Sequence, residues 1–301
     1  GHKIYVIDNA STDSSISFLE TQFPTVNCIK LKQNFGYAGG YNEGLKQIET
    51  DIYCLLNSDI EVTENWLKPI ENQFNTKAKT AIIQPKLLDY NHKTKFEYAG
   101  AGGGFIDQLG YPFCRGRIFD TLEEDKGQYN DQKDIFWASG ACFFIRSNAF
   151  KALGGFDTRF FAHMEEIDLC WRAQNKGMTV SYEGASTVYH VGAASLKTSN
   201  PNKTYLNFRN SLFTLVKNTD KPLLIVVFLR LILDGIAGVR FLLTAKPKHT
   251  IAIIKAHGGF YNALPDLVQF RRQNSDRNTY NQIPSIVWSY FVRNKKYFNK
   301  L

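Results

Sequence analysis

Acidic residues run short in the last third of this chain. Residues 1–195 hold 24 Asp+Glu and 19 Lys+Arg, whereas residues 196–301 hold only 4 and 17, a local net charge of +13. A mildly acidic part followed by a basic, aromatic-rich tail implies two surfaces with different partners, the tail suiting nucleic acid, anionic lipid or a pyrophosphate-bearing substrate. Cysteine is also sparse. Cys28, Cys54, Cys114, Cys142 and Cys170 are odd in number and form no CxxC pair. That argues against a disulfide framework and a zinc site, and for reduced thiols in a cytoplasmic protein. Long apolar runs are missing: in the helical tail the apolar run 222–229 falls far short of the roughly 20 residues a spanning helix needs. No signal-peptide pattern opens the chain. Residues 3–7 are a buried-strand pattern with no lead-in, so the first strand of the fold is expected to be absent. A GxGxxG loop is lacking too. The glycines of the turn at 34–42 fall at 36, 39 and 40, and the following strand ends in Asn57-Ser58-Asp59 where a dinucleotide fold would place one acid.

What is present is an alternation. Short apolar strands at 4–7, 26–31, 52–56 and 80–85 alternate with helices at 14–22, 41–48 and 66–75. This predicts an α/β fold with a mostly parallel sheet flanked by helices. In the first helix Ile16, Phe18 and Leu19 are the inward candidates. Residues 86–134 are less regular, with 120–134 reading as a polar surface loop. A strand-like run at 135–146 is broken by the small residues Ser139-Gly140-Ala141, and a short helix follows at 147–153. Further strands fall at 179–182 and 187–189, the second ending at His190. Beyond about 195 come long helical patterns at 205–218 and 223–243. The expected division is therefore an α/β domain, 1–195, and a basic, amphipathic helical region, 196–301, suited to lying on a membrane surface.

Chemistry in parallel sheets sits at the carboxyl ends of strands. Asp8, Asn34 and Asn57-Ser58-Asp59 fall at or just after such ends. Asp8 is a turn cap or an acceptor for a nucleobase imide; Asp59 is a cap or, with Asn57, a holder of a hard divalent cation. His190 is a structural imidazole or a metal ligand. The densest acid cluster is Glu165-Glu166-Ile167-Asp168, read as the start of a helix that runs on through Arg172 and stops at Gly177. Glu165, Asp168 and Arg172 share a face, while Glu166 points about 100° away from Glu165. Two readings stand: acids favoured at a helix N-terminus and paired with Arg172, or a carboxylate set for general-base or metal chemistry.

Taken in order, Asp8-Asn9-Ala10-Ser11-Thr12-Asp13, Asn34-x-Gly36-x-x-Gly39-Gly40-x-Asn42, Leu55-Leu56-Asn57-Ser58-Asp59, Ser139-Gly140-Ala141, Gly154-Gly155-Phe156-Asp157, Phe160-Phe161, Glu165-Glu166-x-Asp168-Leu169-Cys170-x-Arg172 and His190 resemble the inverting glycosyltransferases of family 2, closest to the bacterial rhamnosyltransferase-like branch. The resemblance spans about residues 4–210. It implies the GT-A fold, a Rossmann-like nucleotide-binding domain, here with a C-terminal helical appendage. It implies a nucleotide-diphosphate sugar, rhamnose among the candidates, as donor. The acceptor would be a glycan or lipid-pyrophosphate-linked molecule in cell-surface polysaccharide synthesis, with Mg2+ or Mn2+ as cofactor. Glu166 would be the base, with Glu165 as the alternative and Asp168 in support. The donor site would be formed by Asp8, Asn9, Asn34, Gly36, Gly39, Asn42, Asn57 and Ser58, with Arg209 reaching the pyrophosphate. Trp137, Gly140 and Ala141 would border the acceptor, and Asp59 and His190 would hold the metal. Two departures from the family pattern are Asn57 in place of the first acid of the DxD-type motif and Glu166 in place of an Asp. The expected location is cytoplasmic, at the inner face of the cell membrane. Against this stand a non-catalytic nucleotide-binding or membrane-docking protein that kept the fold, an oxidoreductase, and a nucleic-acid binder drawn to the tail.

Overall fold

Strand β1 (Tyr5–Asp8) pairs in parallel only with β2 (Asn27–Lys30), across helix α1 (Ser15–Gln22). The computed structural model describes residues 1–192, 200–280 and 283–301. Helix α2 (Gly36–Leu45) leads to β3 (Ile52–Leu56) and the short β4 (Ile60–Val62). Helix α3 (Leu67–Thr76) precedes the buried β5 (Thr80–Asp89). A small antiparallel meander follows: β6 (Gly104–Ile106), β7 (Pro112–Cys114), β8 (Arg117–Ile118) and β9 (Thr121–Leu122). Then come β10 (Gln132–Asp134), β11 (Cys142–Arg146), α4 (Ser147–Ala152), α5 (Glu165–Asn175) and β12 (Thr179–His190). The main sheet runs β10-β12-β5-β11-β3, with β4 pairing the end of β12.

The α/β class is as expected, but the sheet is mixed rather than mostly parallel. Only β5 and β12 pair in parallel there; β11 lies antiparallel between β5 and β3. This arrangement builds the site edge. Since β3, β5 and β12 run the same way, their carboxyl ends meet the start of β11 at one rim. Asn57–Asp59, Ser139–Ala141 and His190 are all brought there.

Three local differences have clear causes. Helix α2 begins at Gly36, five residues before the expected start, because its glycines serve packing rather than a loop. A Cβ on Gly44 would come 2.4 Å from Ile7 Cδ1, and one on Gly36 (φ +70°) would come 2.5 Å from the Phe161 carbonyl. The two strands expected at 179–182 and 187–189 are one strand, β12, with a bulge between Glu183 and Thr187. Helix α1 buries nothing, and Phe18 lies on the surface against Phe23 instead of pointing inward.

The last third is helical: α6 (Pro201–Asn218), α7 (Leu223–Leu243), α8 (Pro247–Gln273) and α9 (Ile286–Phe291). The expected boundary at 195/196 lies outside the described residues. Both sides of it share one apolar core, in which Leu212, Leu215 and Phe260 join Phe105, Phe143 and Leu169. The chain end also returns to the meander, where Phe298 packs on Phe105, ring centroids 4.9 Å apart, and the Ile286 amide donates to Asp107.

Candidate active site

Two clusters of unusual side chains meet at the rim. In the first, β4 pairs with the end of β12 so that Ile60 faces His190, which sets Asp59 beside the imidazole. Asp59 Oδ1 lies 3.2 Å from His190 Nε2, and the other ring nitrogen lies 3.1 Å from Glu97 Oε1. Burial pulls the His190 pKa down, but the Glu97 and Asp59 carboxylates more than offset it, and the net shift is upward. Glu97 is itself buried. Sequence reading gave it no role; the available signal was a lone acid inside the apolar and glycine-rich run 96–105.

A spacing near 3 Å between a carboxylate oxygen and an imidazole nitrogen suits two adjacent ligands of one cation. A carboxylate on the far nitrogen is the partner that fixes tautomer and orientation of a ligating histidine. Among the described residues no group of three or more His, Cys, Asp or Glu side chains is arranged around a metal position. Asp59 and His190 could therefore supply only two protein ligands, phosphates and water being the usual others of a hard divalent cation.

The second cluster stands at the N-terminus of α5. Phe161, His163 and Met164 all have left-handed backbone, with φ of 62°, 69° and 74°. Asn210 on α6 holds this loop: its side-chain amide donates to the carbonyls of Phe160, Ala162 and His163 at 3.0, 2.9 and 2.8 Å. The Tyr37 amide donates to the Phe161 carbonyl at 2.9 Å. The Tyr37 hydroxyl donates to the Gly140 carbonyl at 2.6 Å, joining α2 to the step before β11. A Cβ on Gly140 would stand 3.8 Å from Glu166 Cδ, so the glycine leaves room beside that carboxyl.

Among the described residues, three buried polar atoms here have no partner: His163 Nε2, Glu165 Oε2 and Glu166 Oε2. Unpaired buried polar atoms are rare and costly, and three so close in sequence mark a place suited to a polar ligand. Burial, with the Glu166 charge in second place, holds Glu165 well above the usual carboxylate range. Burial likewise raises Glu166, to about 7, against the opposing pull of backbone amides at the helix start. Burial lowers His163 to about 4, which keeps it neutral. A carboxyl poised near neutrality can take a proton from a hydroxyl.

The two clusters are wired together. The Ala99 amide donates to Glu97, the Ser139 hydroxyl donates to the Ala99 carbonyl, and Gly140 follows at the Glu166 carboxyl. The Asn57 amide donates to the Ala141 carbonyl at 2.9 Å, tying the end of β3 to the same step.

Several expected ligands have other duties. Asp168 is fully buried: Arg172 and Asn218 donate to it at 2.8 Å each, and Lys217 Nζ is 2.8 Å away. It fastens α5 to α6 and is closed to substrate. Trp137 is a core residue, not an acceptor wall, with its indole donating to the Phe105 carbonyl at 2.8 Å. Ala141 is buried too, so of the acceptor trio only Gly140 is partly open. Asn42 spends both polar ends on the Phe156 backbone, and Asn9 spends its own on Asn34, Gly36 and Phe35. Gly36 and Gly39 are buried in packing contacts of α2. Arg209 donates to the Arg159 and Phe160 carbonyls, to Tyr205 and to Asn210, which makes it a second latch on the loop before α5. Asp8 accepts from the Ser11 amide at 3.1 Å, while Asn34 and Ser58 stay exposed.

A family model described as glycosyl transferase family 2 matches residues 2–154, just over half of the chain. An N-acetylglucosaminyl-diphospho-decaprenol L-rhamnosyltransferase of Mycobacterium tuberculosis is 24% identical over 210 residues, covering 64% of this chain and 67% of the relative. The low-salt glycan biosynthesis hexosyltransferase Agl10 of Haloferax volcanii is 22% identical over 210 residues, covering 68% of this chain and 64% of the relative. Among solved structures, GalNAc-T7 with UDP, GalNAc and Mn2+ matches with a TM-score of 0.57 at 12% identity, over 97% of this chain and 50% of that one. Staphylococcus aureus TarS 1-349 matches with a TM-score of 0.51 at 16% identity, over 98% of this chain and 83% of that one. At such identities the structural likeness establishes the GT-A-like fold alone. The sequence match over half the chain agrees with that fold, and the chain belongs to glycosyl transferase family 2.

Proposed function

We propose that this protein moves a sugar from a nucleotide-diphosphate donor to a hydroxyl of a glycan or lipid-pyrophosphate-linked acceptor, with inversion, and that Glu166 is the base. The observation that carries the reading is the unpaired Glu166 carboxyl oxygen, buried beside Gly140 in a group with a pKa of about 7. The acceptor O–H proton passes to Glu166 as the oxygen attacks the anomeric carbon. A new carbon–oxygen bond forms, and the bond to the donor phosphate breaks on the opposite face, its electron pair leaving with the nucleoside diphosphate. One displacement inverts the centre and needs no second carboxylate nucleophile.

Glu165 and His163, each with an unpaired buried polar atom, would hydrogen-bond the reacting hydroxyl and orient it. The nucleoside is assigned to Asp8, Asn34, Asn57 and Ser58 at the strand ends. Asp59 and His190 would hold Mg2+ or Mn2+, which when bound neutralises charge on the donor diphosphate. The Mycobacterium tuberculosis relative, named for L-rhamnose transfer to a diphospho-decaprenol sugar, supports a lipid-linked acceptor and rhamnose as one candidate donor sugar. Cell-surface polysaccharide synthesis is the corresponding setting.

Glu166→Gln tests the base. Transfer should fall by roughly 10²–10⁴-fold, while the thermal shift produced by nucleoside diphosphate with Mn2+ stays as in the wild type. Normal transfer by Glu166→Gln would remove Glu166 from the mechanism.

A further inference from the structure

Helix α7 is built inside out. Its only acid, Asp234, and one of its two arginines, Arg230, point inward and are buried. Arg230 donates to Asp234 at 2.9 Å and to Ser211 at 2.7 Å; Tyr111 donates to Asp234 at 3.1 Å, and His257 lies 3.3 Å from its other oxygen. The outward face is apolar. Leu224 is 87% exposed, Phe228 63%, Ile236 59% and Leu243 83%, and exposed Ile251 and Ile254 of α8 continue the patch. A helix that satisfies its charges on the protein side and shows leucine, isoleucine and phenylalanine outward is patterned for an apolar environment on its outer face.

We infer that α7 lies flat on an anionic lipid bilayer, with this face sunk into the headgroup–acyl boundary. Charge selects this occupant. The turn after α7 and the first turns of α8 carry exposed Lys246, Lys248 and Lys255, and no acid occurs from 235 to 265. Two copies packed across this patch would gather six such lysines with no acid from 235 to 265 on either copy to offset them; anionic headgroups would complement them. No helix among the described residues is long and apolar enough to cross a membrane, and the inward charges of α7 are engaged by the protein, so the contact is one of surface docking.

Flotation of the full chain with vesicles tests this, using phosphatidylcholine alone and phosphatidylcholine with phosphatidylglycerol. The wild type should float with the anionic vesicles and much less with the neutral ones. Lys246→Gln/Lys248→Gln/Lys255→Gln should lose roughly a hundredfold in affinity for anionic vesicles, at about fivefold per lysine. Leu224→Gln/Phe228→Gln/Ile236→Gln should abolish flotation on both kinds. Since these side chains face solvent, the melting temperature of either variant should equal that of the wild type. A wild type that stays unbound to anionic vesicles overturns the inference. So does a wild-type dimer that the α7 substitutions convert to monomer without any effect on lipid binding, because the patch would then belong to a second copy.

Discussion

The pKa of Glu166 links catalysis to stability, and the link has a sign. In the unfolded chain this carboxyl has its ordinary value of 4.5; in the folded chain it stands at about 7. Between those values the folded protein keeps a proton that the unfolded chain has released. Raising the pH through this window therefore favours unfolding, and stability is lost progressively until the pH passes 7. The gap of about 2.5 units corresponds to at most about 3 kcal/mol, at 1.36 kcal/mol per unit. The partly open side of Glu166 reduces this to roughly 1–3 kcal/mol. Glu166→Gln replaces the carboxylate with a neutral amide and removes the penalty. Urea denaturation at pH 8 should thus find the variant more stable than the wild type by roughly 1–3 kcal/mol, and the difference should shrink below pH 7 and vanish below about pH 4. In transfer assays the wild-type kcat/KM should fall about tenfold per pH unit below 7, because the base must be unprotonated, and the variant should lose this limb. A stability difference that stays flat from pH 5 to 8, or runs the other way, would mean that Glu166 is an ordinary solvated carboxylate, and the assignment of the base would fail with it.

Three further outcomes follow from the contacts around the site. Asn210→Ala frees the three loop carbonyls it holds; kcat should drop roughly 100-fold through displacement of Glu166, with the nucleotide-induced thermal shift retained. An unchanged kcat would show that the loop holds its shape without the clamp. Glu97→Gln removes the carboxylate on the far side of His190, and the Mn2+ affinity read from thermal shifts should weaken roughly 10–100-fold; equal affinity would place the metal elsewhere. Lys217→Met leaves the Asp157 and Asp168 carboxylates facing each other without their shared cation, and should cost about 3–5 kcal/mol in urea denaturation. A loss below about 1 kcal/mol would mean that Arg172 and Arg159 suffice.

The rim itself was legible because strand ends are written locally. A run such as 52–56 followed by Asn-Ser-Asp announces both the strand and the polar group that ends it, and His190 announces itself in the same way. Pairings between distant segments were not legible. Glu97 acquires its role only because β5 and β12 lie side by side, and nothing within 96–105 points to a histidine so far along the chain. Trp137 drew a binding role from its place beside Ser139-Gly140-Ala141; only the fold shows its indole turned into the core. Helix α2 was expected too late because glycine is a poor helix former, whereas here the absence of side chains allows Ile7 and Phe161 to pack against it. Helix α8 went unnoticed for a similar reason. Gly258, Gly259 and Pro265 interrupt its pattern, yet a Cβ on Gly259 would come 2.8 Å from the Tyr205 hydroxyl, so the glycine is what lets α6 approach.

The acid-rich start of α5 draws its character from a conflict between two forces. A carboxylate at a helix N-terminus is stabilised by unpaired amides, and in water that alone would push its pKa below 4.5. The amides of Met164, Glu166 and Ile167 do pull Glu166 that way, yet burial prevails and the group comes to rest near 7. The burial is imposed by the loop before the helix. Three consecutive or nearly consecutive left-handed residues, Phe161, His163 and Met164, turn the chain inward so that α5 begins beneath Gly140. Non-glycine residues in that conformation cost of order 1–3 kcal/mol each, and Asn210, Arg209 and the Tyr37 amide supply the bonds that hold them there. Asp168, three positions after Glu165, meets Lys217, Arg172 and Asn218, and its pKa is lowered even though it is more deeply buried. Neighbouring acids of one helix are thus separated into Glu165, raised well above the usual range, Glu166 at about 7 and Asp168, lowered. What separates them is the partner each meets. Of the two acids that meet no cation, Glu166 is the one beside Gly140, where a Cβ would stand 3.8 Å from its carboxyl carbon.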